Sequence, residues 1–286
     1  MLRLLERSVE SMEDRLILLA PSAASVEDGF RNVTFDSQRR EELIRETQRL
    51  RGEVYLEDGA VKRDELSIEG LHQTPEDERS WHLLMLGPDH RITACIWYLD
   101  HANATSLQNL RVRNCPLAKM DRWRDSLRVA VESEIARARR HSLRYIEVGG
   151  WAVSKQCRCR PEGLLLALAG YSLGRLLGGA LFITTATVRH SSSTILRRFG
   201  GTQLEVDGTA VPSYFDPKYN CEMELLRFDS RSPAAKYIRL IELLREKLTS
   251  VAVVTSDAIG LSPVTVPRFA RVPHFARLTG QPFVAA

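Results

Sequence analysis

Apolar positions along this chain change period several times, and each change marks an element. Residues 81–86 and 91–99 are dense in apolar and β-branched side chains, and Gly87, Pro88, Asp89 and His90 separate them. Two such runs around a Gly-Pro turn predict an antiparallel hairpin. Over residues 119–141 the pattern switches to helical spacing: Met120, Trp123, Leu127, Val131, Ile135 and Ala138 fall three or four apart. Residues 35–50 read as a helix continuing towards Gly59, with Asp36 or Ser37 as its cap and Leu43, Ile44 and Leu50 on its apolar side. Residues 144–154 then read as a strand, 163–177 as an apolar helix closed by Gly178 and Gly179, 180–188 as a strand and 191–199 as a short helix. A strand follows near 203–206, then a loop over 214–220, a strand over 221–228 and a helix over 234–248.

The two ends are less regular. Leu4, Leu5, Val9, Met12 and Leu16 form a helical stripe, followed by a run of small residues. Residues 1–30 are therefore expected as an N-terminal arm, 31–249 as the body and 250–286, which show no period, as a C-terminal tail. The order of elements predicts an α/β fold with a mixed, mostly antiparallel central sheet flanked by helices.

Composition narrows the class. The chain has 286 residues, 44% hydrophobic and 27% charged, with a formal net charge of +4. That balance suits a globular protein. It is too weakly basic to argue for nucleic acid, and no clustered basic and aromatic face supports such a partner. The five cysteines form no C-x-x-C pair, so a zinc ribbon and a disulfide framework are both unsupported, and no metal is expected. Reduced thiols point to the cytoplasm. The apolar run over 163–188 is broken by Arg175 and by glycines, which argues against a membrane span.

Candidate chemistry gathers at residues 144–201. Gly149 and Gly150 inside an apolar strand are the mark of a bulge or of a closely approaching ligand. The strand–loop–helix order aims the N–H groups of the helix start at Gly163 beyond the strand's end. Arg158 and Arg160 flank that start, with Lys155 in support, and their guanidinium forks suit a phosphate. Pro161 removes one donor there, and Glu162 is an ordinary first-turn carboxylate. Cys157 and Cys159 read as packing thiols. His190 and Ser192 stand at a helix start, either as a proton relay and a ligand hydroxyl or as capping residues. Trp97, Trp151 and Tyr171 can line an apolar channel or simply fill the core.

This order of elements resembles the GNAT-type N-acyltransferase superfamily, nearest the long-chain N-acyl amino acid synthases and the acyl-homoserine-lactone synthases. The resemblance covers residues of about 35–230. It rests on the Leu50, Arg51, Val54, Tyr55 opening, on residues 147–154 followed by a basic loop and helix, and on the 195–201 close. It implies a central strand splayed from its neighbour. The acyl-pantetheine arm would dock on the backbone of Trp151, Ala152 and Val153, and the loop with Arg158, Arg160 and Gly163 would hold phosphate. The co-substrate would be acyl-CoA or an acyl-carrier protein, with no permanently bound cofactor, and the acceptor a small-molecule amine such as an amino acid. Arg51 and Tyr55 would line the acceptor side. Acyl transfer to an amine needs a base, and Glu147, beside the implied gap, reads either as the group that takes the proton or as a solvated or salt-bridged strand residue. His190 would assist. The sequence departs from the family pattern in a loop with a single glycine and in Leu196, where a tyrosine general acid is common. A non-catalytic acyl-thioester-binding module therefore stays open beside the enzyme.

Overall fold

The computed structural model describes residues 2–10, 12, 15–22, 26–101, 106–158, 160–189 and 191–256. The chain opens with helix α1 (Leu2–Glu10), strands β1 (Leu16–Leu19) and β2 (Val33–Phe35) and helix α2 (Ser37–Glu57). Asp36 caps α2 by accepting a hydrogen bond from the Arg39 amide. The expected hairpin is β3 (Trp81–Leu86) and β4 (Ile92–Asp100), and the long amphipathic helix is α3 (Asp121–Arg140). The central unit follows as β5 (Arg144–Val153), α4 (Glu162–Leu176), β6 (Ala180–Thr187) and α5 (Ser192–Arg198). Short strands β7 (Thr202–Gln203), β8 (Glu205–Val206), β9 (Thr209–Ala210) and β10 (Tyr214–Asp216) lead to β11 (Cys221–Asp229), α6 (Ile238–Ser250) and β12 (Ala252–Thr255).

The main sheet runs β10-β11-β6-β5-β4-β3-β1-β12-β2, with β7 also paired to β11. Most neighbours are antiparallel; β5–β6, β1–β12 and β12–β2 are parallel. Helices cover both faces. On one face α1, α4 and α6 bury Leu5, Val9, Leu165, Leu168, Ile241 and Leu244 against Leu83, Ile96 and Ile146. On the other, α2 packs Leu43 and Ile44 over Leu84 and Cys95, and α3 packs Leu127 and Val131 over Tyr145 and Ile183. The mixed α/β sandwich expected from the order of elements is thus present.

Three segments differ from expectation. The stripe in the first 30 residues is not one helix: α1 stops at Glu10, and Leu16–Leu19 is a strand inside the sheet. Ala252–Thr255, in the segment read as a tail, is a strand parallel to it. The body of the fold is therefore wider than residues 31–249. Both strands are continuous four-residue runs, too short for a period of two to declare itself. The polar connection after β4 carries 3-10 turns that bury Leu107, Leu110, Val112 and Leu117 beneath α3. The remainder of the expected tail, residues 257–286, lies outside the described residues.

Candidate active site

Parallel strands β5 and β6 pair from Arg144↔Ala180 to Val148↔Thr184, and there the pairing stops. Beyond that point β5 stays with β4 alone. Cys95 faces Ala152 and Trp97 faces Gly149, so the single residue Ile96 stands opposite two, Gly150 and Trp151. This is the bulge that the paired glycines announced. Gly150 has φ +63°, where a side chain is strained. A Cβ on either glycine would also overlap the Trp97 indole, which lies flat against the bulge. The Cys95 thiol donates to the Gly150 carbonyl at 3.4 Å. Burial pushes that thiol up to about 12, so it packs rather than reacts.

The splay opens a cavity of about 490 Å³ that crosses the sheet between β5 and β6. This lies within the span of small-ligand pockets, about 300–1,000 Å³. Its two halves differ in chemistry. On the α4 face the walls are Tyr98, Val148, Tyr171, Phe182, Phe199 and Phe228. Tyr171 meets Phe182 and Phe228 edge-on, and its hydroxyl donates to the Phe199 carbonyl at 2.9 Å. On the α2–α3 face the walls are Tyr55, Asp58, Arg111, Asn114, Asp216, Lys218 and Tyr219. The segment over 214–220, expected as a loop, begins as strand β10 and contributes Tyr214, Asp216 and Tyr219 to the cavity.

Glu147 lines the cavity at the point where pairing ends, and is only 5% exposed. Its Oε1 accepts from the Val112 amide at 2.9 Å. Its Oε2 accepts from the Arg111 amide at 2.8 Å and sits 2.7 Å from His101 Nε2. The carboxylate therefore pins the 3-10 turn that carries Arg111. The Arg111 guanidinium lies 5.1 Å from the centroid of the Trp97 ring and reaches Glu76 at 3.4 Å. Neither His101 nor Arg111 stood out in the sequence. Each meets Glu147 only through folding, and no local motif marks either.

Trp151, Tyr55 and Ser192 also line the cavity. The Trp151 indole N–H is buried with no acceptor among the described residues. Burial raises the Tyr55 hydroxyl above its ordinary range, against an opposing effect from Arg51. Thr187 donates to the Ser192 hydroxyl at 3.3 Å. Arg51 does not reach the cavity: it is fully buried and binds Asp77 at 2.7 Å and the His72 carbonyl at 2.9 Å, fastening α2 to the loop before β3. Ala152 is buried under α2 and Val153 packs against the start of α4. The other candidate catalytic residue, His190, and Cys159 lie outside the described residues.

The basic loop lies at the open end of the gap. Pro161 gives α4 no side-chain cap, so the first-turn N–H groups have no side-chain acceptor. A Cβ on Gly163 would come within 2.9 Å of the Val153 side chain, so glycine lets helix and strand touch. Glu162 is buried and turned away towards Arg15 at 3.3 Å, which removes its charge from the loop. Arg160 is exposed. Arg158 is held by Glu57 and Asp58, at 3.2 and 3.1 Å. Lys155 reaches Glu57 at 2.8 Å, and that contact pulls the Glu57 carboxyl below its ordinary range. Among the described residues no group of three metal-ligating side chains converges, and no helix is long and apolar enough to cross a membrane.

No protein-family model matches the chain, and no curated protein matches it by sequence. Solved structures do. A CoA-dependent acyl-homoserine lactone synthase, BjaI, solved with SAM and isopentyl-CoA, aligns with a TM-score of 0.51 at 14% identity, over 84% of this chain and 92% of that one. A second such enzyme, MesI, gives 0.49 at 12% identity, over 85% and 100%. FeeM, an N-acyl amino acid synthase from uncultured soil microbes, gives 0.43 at 12% identity, over 70% and 89%. The last two alignments are too loose to carry an argument. The mixed, mostly antiparallel sheet with helices on both faces is consistent with a GNAT-like fold. More narrowly, it is shared with BjaI.

Proposed function

We propose that the protein is an N-acyltransferase that moves an acyl group from a pantetheine thioester to a small amine. The observation that carries this reading is the cavity through the sheet, apolar on the α4 side and polar on the other. A thioester has the same division. Its acyl chain fits among Tyr171, Phe182, Phe199 and Phe228. Its carbonyl lies at the bulge, beside backbone that has lost its β6 partner. Its phosphate reaches Lys155, Arg158 and the uncapped start of α4. Held this way, the carbonyl faces an amine entering from the polar half, and the reaction becomes effectively unimolecular.

The amine nitrogen attacks the carbonyl carbon, forming the amide bond, and the carbon–sulfur bond breaks. The nitrogen's proton passes to Glu147 Oε1, the carboxylate oxygen with a single donor, directly or through a water, and from there to the departing sulfur, which leaves as the thiol and restores the carboxylate. Arg111, Lys218 and Asp216 put both signs of charge on the lining of the polar half. That pairing of charges suits an acceptor carrying both an ammonium and a carboxylate, such as an amino acid. The donor is acyl-CoA or the same arm on a carrier protein, and the setting is cytoplasmic.

Free-thiol release from a series of acyl-CoA thioesters, with single amino acids as acceptors, tests the reading. Amide product that depends on both substrates is expected. Absence of turnover and of thermal stabilisation with every thioester and with acyl-carrier protein would remove it. A non-catalytic thioester-binding module is the second reading, favoured by the three donors already held by Glu147. Glu147→Gln separates the two. A general base gives a loss of about 10²–10⁴ in kcat, whereas a binding module has no turnover to lose.

A further inference from the structure

Three cations stand where the strand gap opens. Lys155 and Arg158 follow β5, and Arg189 follows β6. Because β5 and β6 run parallel, both loops lie at the unpaired end. All three cations are held by the last turn of α2 and its cap. Lys155 Nζ is 2.8 Å from Glu57 Oε1. Arg158 Nη2 is 3.2 Å from Glu57 Oε2 and 3.1 Å from Asp58 Oδ1. Arg189 donates to the Asp58 carbonyl at 2.7 Å. The same stretch is a wall of the cavity, through Val54, Tyr55 and Asp58. One end of one helix therefore touches the cations of the loop on one side and the polar half of the cavity on the other.

We infer that Glu57 and Asp58 are donor-specificity residues: in the free protein they occupy the cations that a donor phosphate takes. This rests on the proposed reading that the donor is a phosphate-bearing thioester. A phosphate offers more charge and more acceptor oxygens than a carboxylate, so it wins the exchange. A thioester without phosphate cannot displace the carboxylates and meets a closed mouth. These pairs are partly solvated, and such pairs are weak, a factor of about 1.4 to 5 each, so the exchange is easy.

The test is calorimetric titration of the full chain with coenzyme A, and with an acyl N-acetylcysteamine thioester that lacks phosphate. Wild type is compared with Glu57→Gln, Asp58→Asn and the double variant. Glu53→Gln, an exposed carboxylate on the same helix, controls for net charge. The double variant is expected to bind coenzyme A about 3- to 10-fold more tightly, with the control unchanged. The gap between the two ligands should widen accordingly. Unchanged or weaker coenzyme A binding in the double variant overturns the inference, the weaker case because it makes the carboxylates supports of the phosphate site. An equal gain in Glu53→Gln also overturns it, reducing the effect to net charge. Both results leave the transfer reaction standing. No coenzyme A binding by any form, wild type included, removes coenzyme A as the donor and the inference with it, and leaves a carrier-protein donor to the turnover assay.

Discussion

The first and second halves of β5 lie in the same strand and do opposite things. From Ile146 to Val148 the strand is paired on both sides, with β4 and with β6. From Gly149 onwards it keeps only β4, carries a bulge and borders the cavity. The change occurs within two residues. On one side of it Ile146 is buried in a packed core; on the other, two glycines make room for a Trp97 ring. Backbone pairing is thus given up where a side chain from the neighbouring strand claims the space of a Cβ. An opening in a sheet is a packing decision made by a few residues, and it leaves hydrogen-bonding groups for a ligand to use.

Substitutions at the boundary should break this contrast. Gly150→Val places a branched side chain at positive φ and against the Trp97 indole. It is expected to cost about 2–5 kcal/mol in urea unfolding and to abolish donor binding. A smaller loss in the Gly150→Val, Trp97→Ala double variant would assign part of that cost to the ring. In the closed half, Ile146→Val should cost only about 0.5–1.5 kcal/mol and leave binding untouched. If both positions lose binding equally, the two halves are not distinct.

A next, smaller effect lies on Glu147, the last α3-face residue before the splay. His101→Ala removes a buried partner from its carboxylate and is expected to destabilise by about 1–3 kcal/mol. Amide hydrogen exchange at Arg111 and Val112 should quicken with it, because their carboxylate acceptor loses its support. Exchange that stays at the wild-type rate would separate His101 from the turn. The smallest change is Trp151→Phe. It deletes a buried N–H that has no acceptor among the described residues, so the free protein should gain about 1 kcal/mol. Activity should fall if that N–H finds its acceptor on the bound thioester. A stability loss would mean that the indole is already satisfied.

Much of the frame was legible because it is local. Gly149 and Gly150 mark the bulge, Asp36 caps α2, and the three- and four-residue spacing of Leu127, Val131 and Ile135 sets the buried side of α3. The site was legible only in part. Glu147 could be singled out, but His101 and Arg111 reach it from 46 and 36 positions away, and no periodicity carries such a contact. Arg158 could be read as a cation at a helix start. That Glu57 would hold it from 101 positions away could not. Arg51 shows the limit from the other side: the resemblance implied a ligand contact, whereas the side chain is buried against Asp77. Strands β1 and β12 escaped because four apolar residues fit a helix or a strand equally well.

Strands β1 and β12 lie side by side in the sheet, although Ile17 and its partner Ala252 stand near opposite ends of the described chain. During synthesis, at about 5–20 residues per second, the first of the pair leaves the ribosome roughly 10–50 s before the second. Throughout that interval the hairpin of β3 and β4 can accept β1, but the far edge of β1 has no partner. An open, apolar strand edge recruits other chains. A nascent chain of this fold therefore waits, incomplete and adhesive, until β12 is made, and a holding chaperone would find its client in that edge. Protein ending at Ser250 should accumulate in inclusion bodies, while the chain carrying β12 remains in the supernatant.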